Sequence, residues 1–224
     1  MGTDNLFHKR KAKRNRDIAR RKASRAPYDK VLVVCEGEKT EPNYFLELKN
    51  HYTIDSANIK IDGRSGSSPI NVVKYGIELY RREHAIGDPF DRVYCVFDKD
   101  THISYQPALE KLAAARPKMT FFAINSVPCF EYWLLLHFTY TTAPFVAVGG
   151  ISGGTAVINK LTEYMPGYTK VGRGVFNELF NRLEHAKTNA ARSLEEAERT
   201  RTDNPTTRVH ELVDYLQHIK TKPQ

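Results

Sequence analysis

The stretch Val31-Leu32-Val33-Val34-Cys35-Glu36-Gly37-Glu38-Lys39-Thr40-Glu41-Pro42 decides the fold. Its first five residues are apolar and mostly β-branched, which reads as a strand buried on both faces of a parallel sheet. Glu36 ends the run. Gly37 lets the chain turn sharply or approach a phosphate closely. Thr40-Glu41-Pro42 then gives the cap and first-turn signal of a helix carrying Tyr44, Phe45 and Leu48.

The same grammar repeats outward. Val93-Tyr94-Cys95-Val96-Phe97 is a second buried strand ending in Asp98 and Asp100, and Ile59-Lys60-Ile61 and Met119–Ile124 read as two more. Ser68-Pro69 opens a helix with Ile70, Val73, Ile77 and Tyr80 at helical spacing, and Leu109 and Leu112 mark another over 105–116. This alternation predicts a doubly wound, mostly parallel α/β sheet. After residue 140 the strand signal fades. Helices are expected at about 155–164, 174–200 and 206–218, as a C-terminal cap. The expected organisation is a disordered basic arm over 1–26, an α/β core over 27–140, and a helical part over 141–224 packed on the same domain.

Charge is distributed very unevenly. The chain of 224 residues carries a formal +8, and residues 1–25 alone hold ten Lys/Arg against two Asp. The body is therefore neutral. The arm's cations are Lys9, Arg10, Lys11, Lys13, Arg14, Arg16, Arg20, Arg21, Lys22 and Arg25. Such a run buries too little apolar surface to order itself but could become helical on a polyanion, and its charge points to a polyanion such as nucleic acid. No apolar h-region follows the basic N-terminus and no run is long enough to span a membrane. Cys35, Cys95 and Cys129 lack paired spacing, which fits a reducing cytoplasm; a small buried hydrophobe and a thiolate ligand are both open readings for each.

Open α/β sheets place chemistry at the carboxyl ends of their strands. Glu36, Asp98 and Asp100 sit there, and extended geometry would put both aspartates on one side. Crowded carboxylates raise one another's pKa unless a cation shares the site. Hard oxygen donors favour Mg²⁺ or Mn²⁺. Glu38, Glu41 and Glu131 are further candidates, although helix-dipole acids explain them equally well. Lys39, Lys170 and Arg173 are candidate phosphate contacts. His102 and His137 lack ligand spacing, and His137 between Leu136 and Phe138 reads as a core histidine. Gly149–Gly154 lacks the Lys-Ser/Thr of a P-loop.

Four pieces together resemble the RloB-like family. They are Val33–Phe45, Val96-Phe97-Asp98-Lys99-Asp100, Ser126–Phe138 and Asn204-Pro205-Thr206-Thr207. The resemblance implies a Toprim-like core, the fold of topoisomerase and primase catalytic domains and of overcoming-lysogenisation-defect nucleases. In that fold a Glu after the first strand and a DxD after a later one carry metal chemistry, which matches Glu36, Asp98 and Asp100. It also implies a bacterial anti-phage setting and an ATPase partner. The resulting expectation is a cytoplasmic, Mg²⁺- or Mn²⁺-dependent nuclease. The alternative is a catalytically silent nucleic-acid-binding or adaptor module of the same system. A phosphate-ester enzyme with a small substrate fits the basic arm poorly. Neither DNA versus RNA nor the oligomeric state is legible.

Overall fold

A computed structural model describes residues 3–221. Five strands form one sheet: β1 (Val31–Cys35), β2 (Ile59–Asp62), β3 (Arg92–Asp98), β4 (Phe121–Val127) and β5 (Thr206–Thr207), in the order β2-β1-β3-β4-β5. The first four run parallel and β5 pairs antiparallel with β4. This α/β architecture is consistent with the Toprim-like doubly wound fold.

Period-2 alternation sends the strand residues to two cores. Val31, Val33, Cys35, Tyr94 and Val96 face one side, while Leu32, Val34, Val93, Cys95 and Phe97 face the other. The second side is covered by α3 (Pro69–Ala85) and α4 (Tyr105–Ala114), through residues such as Val72, Val73, Ala108 and Leu112. The first side carries α2 (Thr40–His51), α5 (Glu131–Leu135), α6 (Gly153–Thr162), α7 (Val175–Leu179), α8 (Leu183–Thr200) and α9 (Val209–Gln217). Each fully buried Val, Leu or Phe side chain there contributes roughly 1.5–3 kcal/mol. The C-terminal helices thus complete one face of the sheet.

Two places depart from the sequence reading. The helix expected over 174–200 is broken by a 3₁₀ turn at Phe180–Arg182. Before it, α7 packs Phe176 and Leu179 beside α2, and after it α8 turns Leu183, Ala186 and Ala190 into the core. Residues 206 and 207, expected to open a helix, are a strand instead. Both are β-branched, Thr207 Oγ1 lies 2.9 Å from Ser126 Oγ, and the Arg208 N–H donates to the Asn125 carbonyl. The helix starts only at Val209.

The basic arm also differs from its expected disorder. Residues 1 and 2 lie outside the described residues, but Thr3–Ala23 form helix α1. Lys, Arg and Ala are good helix formers, while like charges one turn apart oppose them. Ion pairs to the body hold the helix's last turn. Arg21 Nη2 is 2.9 Å from Glu83 Oε2, and Arg25 pairs with Asp88.

Candidate active site

The carboxyl ends of β1 and β3 open into a cavity of about 460 Å³, lined among others by Glu36, Glu38, Glu41, Asp98, Asp100 and Glu131. Glu36, Asp98 and Asp100, drawn from two strands, therefore meet at one edge of the sheet. Glu41 comes from the first turn of α2 and Glu131 from the first residue of α5. Both are buried, at 7% and 1% exposure, so solvated helix-dipole acids do not describe them.

Two glycines shape the rim. Gly37 has φ +87°, a conformation open to glycine and strained for other residues. A Cβ on Gly63 would stand 2.2 Å from the Gly37 carbonyl oxygen, so the β2 exit can press against the Glu36 loop only without a side chain. Asp100 reaches the cavity differently from the expectation. The strand ends at Asp98, and Asp100 adopts φ +32°, its N–H donating to the Pro128 carbonyl. A turn, rather than an extended i, i+2 pair, brings it round.

The electrostatics are those of excess negative charge. One Glu36 carboxylate oxygen accepts the Asp98 N–H at 3.1 Å, and the other lies 3.2 Å from His102 Nε2. Burial raises the Glu36 pKa despite that N–H and imidazole. Burial pushes Glu41 up to about 8, with Glu131 and Glu36 adding repulsion. Asp98 is held well above the usual carboxylate range by burial and then by Glu41, Glu131 and Glu36, against a backbone hydrogen bond from Phe130. Shifts of this size gathered in one cleft make it the candidate site of the molecule.

A strap over Met165–Gly174 supplies the counter-charge. Tyr168 donates its hydroxyl to Glu131 Oε1 at 3.0 Å, and Lys170 Nζ stands 3.4 Å from the same oxygen. Burial draws the Lys170 pKa down, but the Glu131 charge more than offsets it and the net shift is upward. The strap is tied to α2 along its length. Thr40 donates to the Lys170 carbonyl, Asn43 Nδ2 to the Gly172 carbonyl at 3.4 Å, and Glu47 accepts the N–H groups of Gly174 and Phe176.

The family model for RloB-like proteins matches residues 31–216. The chain belongs to the RloB-like family. Searches of the curated proteins and of the solved structures returned no match. The matched span contains every acid of the cavity and begins after α1.

Within that RloB-like body, the remaining candidates divide. Lys39 and Lys170 line the cavity, and Arg173, three residues beyond Lys170, does not. His102, set aside for lack of ligand spacing, is in the site, and its position two residues after Asp100 was the available signal. Tyr168 carried none, because its role depends on a strap that only tertiary structure brings over Glu131. His137 is 1% exposed with Nδ1 3.1 Å from the Trp133 carbonyl, and burial lowers its pKa to about 4, so it is a neutral core residue. Cys35, Cys95 and Cys129 are free and buried, and burial raises all three thiols. That disfavours a thiolate role. Among the described residues, no three His, Cys, Asp or Glu side chains are arranged to hold a metal ion as they stand. The carboxylates of the cavity are hard oxygen donors, the type that suits Mg²⁺ or Mn²⁺. Among the described residues, no helix is long and apolar enough to cross a membrane.

Proposed function

We propose that this RloB-like protein hydrolyses phosphodiester bonds of nucleic acid with the help of Mg²⁺ or Mn²⁺. One observation carries the reading: six carboxylates line a single cavity in which Lys39, Lys170 and the imidazole of His102 are the basic side chains. Glu41 and Glu131 are buried there, and holding several carboxylates together away from water is unfavourable, which favours a cation in the cavity. Glu36, Asp98 and Asp100 would hold it, with Glu41 and Glu131 close by. When bound, a divalent cation would supply positive charge at the scissile phosphate and a more acidic water.

The chain's own groups have separable tasks. Glu36, hydrogen-bonded by the Asp98 N–H and close to His102, would serve either as a ligand of the cation or as the base that takes a proton from an attacking water. Lys170 is placed to face a phosphate oxygen whenever Glu131 has another counter-ion. Lys39, exposed at the rim, is placed to meet the flanking phosphate. The resemblance described above extends the reading to a bacterial anti-phage system beside an ATPase partner, and three free thiols fit a cytoplasmic setting.

The test is cleavage of labelled DNA and RNA with Mg²⁺, with Mn²⁺ and with EDTA, by the chain alone and with an ATPase encoded beside it. Metal-dependent cleavage lost in EDTA supports the reading. Tight nucleic-acid binding without cleavage under every condition would favour the silent adaptor instead.

A further inference from the structure

The basic arm and the acid cavity lie at opposite ends of the same sheet. Lys30 immediately precedes β1 and Glu36 immediately follows it, so about 20 Å of extended chain separates their ends. Lys30 Nζ is the centre of a buried cluster: it reaches Glu83 Oε2 at 2.6 Å, the Asp88 carbonyl at 2.6 Å and Asp88 Oδ2 at 2.9 Å. Arg21 from the last turn of α1 and Arg25 just beyond it join these two acids. Farther along the arm, Arg14 donates to the carbonyl of Ala85, the last residue of α3. Every one of these anchors is at the amino end of the strands, away from Glu36 and Asp98.

This docking sorts the arm's cations by face. At 100° per residue, Arg14 and Arg21 share the side turned to the body, with the half-buried Ile18 between them. Lys9, Lys13, Arg16 and Arg20 follow one another at spacings of four, three and four, on the opposite, exposed side. That stripe is about 17 Å long, close to the rise of five base pairs.

We propose that the stripe Lys9–Lys13–Arg16–Arg20 of the docked α1 is a phosphate-backbone clamp for a nucleic-acid duplex, separate from the acid cavity, while Arg14, Arg21 and Arg25 serve as the latch that holds it. The proposal rests on nucleic acid being the substrate class. A membrane surface fits less well, because the helix has no apolar stripe: Leu6 and Phe7 lie at one end and Ile18 faces the body. Contacts confined to phosphates position a duplex without reading its sequence, so the clamp holds duplexes irrespective of sequence.

The experiment compares neighbouring arginines. Duplex affinity is measured over a salt series for the whole chain and for Arg20→Gln and Arg21→Gln. Four contacted phosphates give a slope of log K against log salt of about −3.6, whereas ten freely acting cations would give about −9. Arg20→Gln should reduce the slope by about 0.9, and Arg21→Gln should leave it unchanged or steepen it by loosening the latch. Equal losses from both variants would overturn the clamp, since the arm would then bind undocked. Binding to anionic vesicles but to no duplex would overturn it too. Cleavage of an oligonucleotide too short to reach the arm reads the cavity independently, and should not change in Arg20→Gln. Loss of that cleavage in Arg20→Gln would show that the two ends are not separate.

Discussion

Lys170 Nζ lies 3.4 Å from Glu131 Oε1, joining an exposed lysine to a carboxylate that is almost completely buried. The pair is unequal. Glu131 cannot regain water if its partner leaves, whereas Lys170 can. Removing the lysine therefore strands a buried charge, the costlier way to break an ion pair.

Lys170→Met should destabilise the metal-free protein by about 1–2 kcal/mol, below the range for fully buried pairs because the lysine is partly solvated. Glu131→Gln placed in the Lys170→Met background should recover most of that loss. Urea unfolding with EDTA present measures both. A Lys170→Met protein as stable as the parent would mean that Tyr168 alone satisfies Glu131.

Stability should also depend on pH in a definite direction. Glu41 has an ordinary value near 4.5 and is raised to about 8 in the fold. Between those values the native state keeps a proton that the unfolded chain has lost. The Glu41 contribution to stability is then greatest below the lower value and declines as pH rises through the window. Without metal, the melting temperature should fall between about pH 5 and 8. Glu41→Gln should flatten the decline, and an unaltered slope would place the titration on Asp98 or Glu36 instead.

Divalent ions should act in the opposite sense. Carboxylates that are protonated at low pH compete poorly for metal, so Mn²⁺ should raise the melting temperature more at pH 8 than at pH 6. Calorimetric titration with Mn²⁺ provides the same comparison without heating. Equal stabilisation at both pH values, or none at either, would count against the acids as ligands.

Asp98→Asn separates a chemical from a structural aspartate. Metal-dependent cleavage should fall by about 10²-fold or more. Stability of the metal-free protein should hold or rise, because burial and three neighbouring acids already disfavour the charge. A stable Asp98→Asn protein that cleaves at the parental rate would locate the chemistry elsewhere, and an unstable one that still cleaves would make Asp98 a framework residue.

The strands and their order of use were legible because β1 and β3 are unbroken apolar runs, a signal that survives without tertiary information. Glu36 and Asp98 followed from the rule that strand ends carry chemistry. Asp100 was placed in the right cavity by the wrong geometry, since an extended pair was assumed and a left-handed turn is present. The antiparallel β5 was hidden because two residues make no period. Tyr168 was hidden because its partner, Glu131, lies 37 residues earlier in the chain. The arm's helix was hidden for another reason: Asp88 and Glu83, which hold it, are more than sixty residues away in sequence.

Helix α2 carries Glu41 in its first turn and, through Thr40, Asn43 and Glu47, fixes the strap that presents Lys170. One rigid rod therefore sets both an acid and the cation opposite its neighbour, as a ruler sets two marks. Sliding the strap by a single turn of that rod would carry the lysine about 5.4 Å out of place. Insertions or deletions within residues 40–47 should thus be tolerated far less than those in the exposed loop at 146–151, even though neither would interrupt the sheet.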